Sequence, residues 1–366
     1  MLGVDVGKTE LYGTWRDPET EAVRWHGAVP NTAVGIRQLL RRAPESPVVV
    51  EPTGRYGESL IRTAQAEGRT VYLAPTRQAR AFLNAVQPRA KTDRVDSTGL
   101  ALYGLRGRLR PYTLPSDEVD ELKQLLAARR GLSQSRSALK QQQEALPRAA
   151  ATLAPAIAAL TQQIDTIDRQ LAKLSVPPKP PTVAKKTTTT TSAAVAAAPA
   201  GTPAATEPVV PAAPPPSPVL AAARTLRTIP GFGPVTAAAL AACLVEKQFT
   251  HPDQLVAYLG LDIRVHQSGR RIGQFGLSKH GDAELRRLLY IAALSATQSR
   301  DTTFATRYAR EKAKGLANTA ALNALARKLA KVAWSLIAHN TTYDPQRVDR
   351  QPSKDDAQPP RVDTQA

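Results

Sequence analysis

Cysteine is almost missing from this chain: Cys243 stands alone among 366 residues. One thiol can form neither an internal disulfide nor a cysteine cluster for zinc or iron–sulfur. Histidine is sparse as well, with five scattered residues and no spacing of the H-E-x-x-H kind. No apolar run approaches the roughly 18 to 20 residues that cross a bilayer. The opening Met1-Leu2-Gly3-Val4-Asp5 places an acid where a secretory signal needs basic residues. The expectation is a soluble, intracellular protein with no membrane partner. Acids are also in short supply. Thirty-one Asp and Glu face 49 Lys and Arg, leaving a formal charge of +18, which favours a polyanionic partner.

The length allows about two domains at roughly 150 residues each, and the composition divides the chain accordingly. Residues 175–218 hold 12 of the 30 prolines, the run Thr187 to Thr191 and an alanine-rich tract. That stretch has too little apolar area to offset the entropy of ordering, so it reads as a disordered linker. Residues 346–366 read as a disordered tail. Before the linker come residues 1–112, an α/β body, and 113–174, a helical segment. After it, residues 219–345 look mostly helical, with periodicity over Leu226 to Ala242, Pro252 to Leu259, Ala283 to Gln298 and Ala317 to Ala338.

The first body opens with three strand-like runs, Leu2 to Val6, Leu11 to Trp15 and Ala22 to Val29. Helical patterns then alternate with Val48-Val49-Val50 and Val71-Tyr72-Leu73. Three antiparallel strands followed by alternating helix and strand is the order of a ribonuclease-H-like domain. Leu125, Leu132, Leu139, Leu146, Leu153, Leu160, Ile167 and Leu174 then recur every seven residues. They predict a helical hairpin or broken coiled coil, interrupted at Pro147 and Pro155.

Four acids stand out. Asp5 lies mid-strand among apolar neighbours, where an unpaired charge costs several kcal/mol. Glu51 ends the strand Val48-Val49-Val50. Asp93 and Asp96, in Lys91-Thr92-Asp93-Arg94-Val95-Asp96, are three apart and share one face of a helix. Taken singly, each is equally at home as a turn cap, an ion-pair partner or a solvated helix residue. Together on this strand order, they offer the hard oxygen ligands that two Mg2+ ions need for phosphodiester cleavage. Asp5-Val6-Gly7-Lys8-Thr9 also fits the phosphate loop of sugar kinases, but those enzymes need a second such domain, and the C-terminal body has none.

In that C-terminal body, Ile229-Pro230-Gly231-Phe232-Gly233-Pro234 resembles a helix-hairpin-helix turn, with Gly231 and Gly233 able to let backbone N–H groups approach a phosphate. Between Arg264 and Arg287 lie six Lys or Arg against Asp282 and Glu284, broken by glycines. Arg264, Arg270, Arg271, Lys279 and Arg286 are candidate phosphate contacts. Ser268, beside Arg270 and Arg271, is a candidate attacking hydroxyl. Ser278, shortly before a predicted helix, suits a cap or a phosphate contact.

Taken together, these residues resemble the DEDD transposases of bacterial insertion sequences, the insertion sequence 110 family of bridge-RNA-guided recombinases. The resemblance rests on Gly3-Val4-Asp5-Val6, Glu51-Pro52-Thr53-Gly54, Lys91 to Asp96, Ile229 to Pro234, and Gln267-Ser268-Gly269 with Ser278-Lys279-His280-Gly281. It implies a RuvC-like domain carrying the metal-binding tetrad Asp5, Glu51, Asp93 and Asp96, and a C-terminal transposase domain carrying a nucleophilic serine, Ser268. It also implies donor and target DNA, a noncoding bridge RNA, a dimer or tetramer, and a place with the bacterial nucleoid in the cytoplasm. A junction nuclease without a covalent step, and an inactive nucleic-acid-binding remnant, are the competing classes. The proline-rich insertion at 175–218 is the departure from the family plan.

Overall fold

Leu2, Val4 and Val6 alternate with Gly3 and Asp5 along the first strand, so the two sets face opposite sides of a sheet. A computed structural model describes residues 1–52, 54–86, 92–175, 217–264, 267–268, 271–272 and 276–348. Its compact units divide between Pro115 and Ser116. Of the expected linker, 175–218, residues 176–216 lie outside the described residues, while Ser175 is buried and Pro218 already opens a helix. Of the expected disordered tail, 346–366, residues 349–366 lie outside them, and 346–348 belong instead to a short helix with Val348 buried.

The N-terminal unit runs β1 (Leu2–Val6), β2 (Glu10–Arg16), β3 (Val23–Pro30), α1 (Ala33–Arg42), β4 (Val48–Val50), α2 (Glu58–Ala66), β5 (Val71–Leu73), α3 (Thr76–Val86) and α4 (Asp93–Arg106). The sheet order is β3-β2-β1-β4-β5. β1 pairs antiparallel with β2 and parallel with β4, and β4 pairs parallel with β5. All three valines of β4 are buried, as a parallel strand covered on both faces requires. Leu2, Val4, Val48 and Val50 pack on Ile36, Leu39, Leu40, Leu60 and Ile61 of α1 and α2. On the other face Val49 packs with Ala79, Leu100 and Tyr103 of α3 and α4. The result is a three-layer α/β/α unit.

Close approach of α4 to the sheet depends on Gly3. A Cβ there would fall on the backbone of Ser97 and Ala101. Thr14, beside Gly3 in the β1–β2 register, adds a buried link: its Oγ1 lies 2.7 Å from Ser97 Oγ and 3.2 Å from Thr98 Oγ1. One helix is thereby fixed to the two central antiparallel strands.

The second unit begins with α5 (Asp117–Ala145) and α6 (Ala150–Leu174), which pack against each other across a short 3-10 turn at Pro147–Ala149. Pro147 breaks the helix as expected. Pro155 does not: it sits inside α6, which continues past it. Six residues into the helix, the missing N–H forfeits one hydrogen bond, to Ala151, and the long helix beyond it holds. Leu125, Leu132, Leu139, Leu153 and Leu160 are only half-buried, and Leu146 at the turn is exposed. Two helices alone cannot enclose their seam. Burial becomes complete at the base, where Val119, Leu122 and Leu171 join the C-terminal core. Arg129 pairs with Asp168 across the hairpin.

That core is built from α7 (Pro218–Leu226), α8 (Pro234–Lys247), α9 (Pro252–Tyr258), α10 (Ala283–Ala296), α11 (Thr303–Ala313), α12 (Asn318–Ala338) and the short α13 (Pro345–Val348). The helical run expected over Leu226 to Ala242 is broken at the turn between α7 and α8. Nor is the stretch before α10 a plain loop. β6 (Ile263–Arg264) pairs with β9 (Gly276–Leu277), and inside that ladder β7 (Gln267–Ser268) pairs with β8 (Arg271–Ile272), all antiparallel. Among the described residues no helix is long and apolar enough to cross a membrane.

Candidate active site

Asp5 points to the face of β1 that α4 covers. Register brings Glu51 to it: Val4 lies beside Val50 in the parallel β1–β4 pair, and one further step sets Glu51 next to Asp5. The loop after Glu51 is tied down by Asn31, whose Nδ2 donates to Gly7 O and Tyr56 O, each at 3.0 Å. Thr53 of the expected Glu51 to Gly54 motif lies outside the described residues, as does Lys91.

Asp93 and Asp96 come from the first turn of α4. Thr92 caps that helix, its Oγ1 accepting from Val95 N at 3.3 Å. Both acids therefore meet the positive end of the helix dipole. Burial pushes the Asp5 carboxyl above the usual carboxylate range, and the charges of Asp93, Asp96 and Glu51 push it further. Four carboxylates from β1, the end of β4 and α4 thus act on one space. Among the described residues, no three His, Cys, Asp or Glu side chains are drawn together as a closed ligand set. An all-oxygen, strongly anionic donor set fits a hard divalent cation.

In the second unit, Gly231 has φ 84° and lies against Ala292 O and Ala296 N of α10. Its lack of a side chain serves helix packing, while Gly233, just before α8, faces open space. Ser268 stands opposite Arg271 in the β7–β8 ladder, and Arg264 closes the outer ladder opposite Gly276. Arg270 lies outside the described residues. Lys279 is exposed at φ 53°.

Ser278 differs from expectation. It is buried, its hydroxyl donates to Asp262 Oδ1, and its backbone N–H donates to Asp262 O at 2.8 Å. The cap of α10 is Asp282, whose Oδ1 accepts from Glu284 N and Leu285 N at 2.9 Å. Arg286 is likewise engaged internally, donating to Leu259 O at 3.0 Å. Cys243 is buried, and burial pushes its thiol up to about 12, so it is inert as a nucleophile at neutral pH. Thr14, Ser97 and Asp262 carry no signal in periodicity or motif, because their roles arise from pairings set by the fold.

Comparison with known proteins agrees with this architecture. Residues 2–148 match a DEDD family model described as "Transposase". Residues 223–309 match a second, described as "Transposase IS116/IS110/IS902 family". Both models describe transposases, and together they take in more than half of the chain, which belongs to the IS110 family of DEDD transposases. A "Probable family 20 transposase" of Pseudomonas aeruginosa is 34% identical over 128 residues, 33% of this chain and 36% of that protein. The "Transposase for insertion sequence element IS1328" of Yersinia enterocolitica is 33% identical over 33% of this chain and 37% of its own length. The chain thus spans only about a third of such curated relatives. A "Pilin gene-inverting protein" of Moraxella bovis is 24% identical over 81% of each chain.

Proposed function

We propose that this protein is a DNA transposase that cuts and rejoins strands through a serine-linked intermediate, assisted by metal ions at its four acids. The observation that carries the reading is the placement of Asp5 on β1 beside the end of β4 and on the face that α4 covers, with Asp93 and Asp96 in the first turn of α4. There burial, and then the charges of Asp93, Asp96 and Glu51, push the Asp5 carboxyl up; a divalent cation would relieve such a site. The sheet order and the parallel β1–β4 pair support a ribonuclease-H-like, RuvC-like unit, and family membership supports DNA as substrate.

Asp5, Glu51, Asp93 and Asp96 would hold the metal, two Mg2+ ions by the hardness of their oxygen donors. A metal bound there would supply Lewis-acid chemistry and offset phosphate charge. The chain's own residues supply the rest. The Ser268 Oγ attacks phosphorus: the Oγ–P bond forms, the bond to the leaving strand's oxygen breaks, the serine proton passes to solvent, and the leaving oxygen takes a proton from solvent. Attack by the hydroxyl of the new strand reverses these bonds and frees the serine. The cations Arg264 and Arg271 lie on the same ribbon as Ser268 and suit the charge that develops on phosphate. Burial of Ser278 against Asp262 favours Ser268 as attacker. Pairing of a noncoding bridge RNA to donor and target would select sequence, with the protein holding backbones, and a dimer or tetramer would supply the active sites. The α5–α6 seam supports a coiled-coil role for that hairpin.

The test is a denaturing gel of labelled donor DNA incubated with Mg2+ and each variant. Ser268→Ala and Asp5→Ala should form no protein–DNA adduct, while Ser278→Ala forms it at a reduced yield set by lost stability. An adduct from Ser268→Ala would remove the serine mechanism.

A further inference from the structure

On α4 successive residues turn by about 100°, so the face bearing Asp93 and Asp96 is not the face bearing Arg94, Val95 and Thr98. The second face borders a cavity of about 510 Å³ whose far wall is β3, with Arg24 and His26. Arg94 is exposed and has no ion-pair partner among the described residues. Arg24 shares its charge with Asp17 at 2.8 Å. His26 Nδ1 lies 3.5 Å from Tyr12 Oη, and Tyr12 is the register neighbour of Asp5 in the β1–β2 pair. One wall thus holds the chain neighbour of Asp93, and the other contacts the register neighbour of Asp5. Thr98 is tied to Thr14 in β2, which fixes the helix carrying both the cavity wall and the acids to the sheet.

The charge pattern has a physical purpose. Four carboxylates repel a polyanion, and a strand reaching them needs cations beside the path. We propose that the groove between β3 and the first turn of α4 is a phosphodiester-binding subsite. It holds the backbone of one nucleic-acid strand on Arg94 and Arg24, in register with the acids. This assignment deepens the function proposed above and rests on its nucleic-acid substrate. DNA and RNA strands carry the same backbone phosphate, and the experiment tells them apart.

The full chain is titrated with a fluorescent single-stranded oligonucleotide over a range of salt, once as DNA and once as RNA of the same sequence. Arg94→Ala should weaken binding and reduce the slope of log K against log salt by about 0.7 to 1, the loss of one phosphate contact. Arg94→Lys should restore the slope. Arg37→Ala removes an equal charge from α1, on the opposite face of the sheet, and should leave the slope alone. Loss with the DNA probe assigns the groove to a DNA strand, and loss confined to the RNA probe assigns it to RNA. Equal changes in Arg94→Ala and Arg37→Ala, or none in either, would overturn the subsite. The adduct assay separates the two ideas. Adduct formation with no Arg94 effect leaves the transposase reading standing without the subsite. An Arg94 effect without any adduct does the reverse.

Discussion

Replacing Gly3 with alanine would push α4 off the sheet. The new methyl would sit 2.8 Å from Ala101 Cα, and closer still to Ala101 N and Ser97 O, where ordinary contacts are 3.4–4 Å. The obstacles are backbone atoms of a helix, which cannot swing aside, so α4 must retreat by about 1 Å. Overpacking of this kind costs about 1–3 kcal/mol. Its effect on chemistry should be larger. α4 carries Asp93 and Asp96 while β1 carries Asp5, so the retreat appears undiluted between the acids. A misplacement of about 1 Å can cost ~100-fold in rate. The control is Ile36→Val on the buried side of α1, at the opposite face of the sheet, which should cost about 1 kcal/mol without moving α4. Thermal melts and adduct yield are measured for both variants. Gly3→Ala should lose about two orders of magnitude in initial adduct rate at a temperature where both proteins are folded, and Ile36→Val almost none. Equal rates in the two variants would refute the argument that Gly3 sets the spacing of the acids.

Asp5 links the site to pH. Its folded carboxyl titrates above its unfolded value, so the folded state holds the proton more tightly. That stability is fully present below the unfolded value near pH 4 and is lost as pH rises through the raised folded value. In chelator at pH 7 the Asp5→Asn protein should therefore melt above wild type, with the gap closing toward pH 4; a lower melting point at pH 7 would contradict this. Ser278→Ala strips a hydroxyl donor from Asp262 and should destabilise the C-terminal unit by about 1–3 kcal/mol, read as a lower denaturation midpoint. An unchanged midpoint would show that the buried hydrogen bond contributes nothing.

Much of the N-terminal unit was legible because its signals are local. Alternation in Leu2 to Val6 and the all-valine β4 identify strands, and the spacing of Asp93 and Asp96 puts both on one helix face. The adjacency of Asp5 and Glu51 was inferable only through an assumed strand order, which the β1–β4 pairing supplies. What escaped depends on contacts distant in sequence. Thr14 meets Ser97 across 83 positions, and Ser278 meets Asp262 across 16, so neither leaves a trace in periodicity. The ladders of β6 to β9 escaped because glycines and arginines at two-residue strand lengths look like loop. Pro155 misled for another reason: a proline disfavours a helix interior, but the flanking apolar repeat of α6 outweighs one lost bond.

The ends of the α5–α6 and α7 segments carry one more consequence. Ser175 is buried at the foot of α6, and Ser217, just before α7, donates to Glu118 near the start of α5. Both residues are held by the same helical unit. Closing a flexible chain between two fixed points costs only about 0.6 kcal/mol more for each doubling of its length. The position is therefore an insertion port: a reporter or effector domain whose own termini lie close together could be spliced between Ser175 and Ser217 without stretching the helices that anchor it.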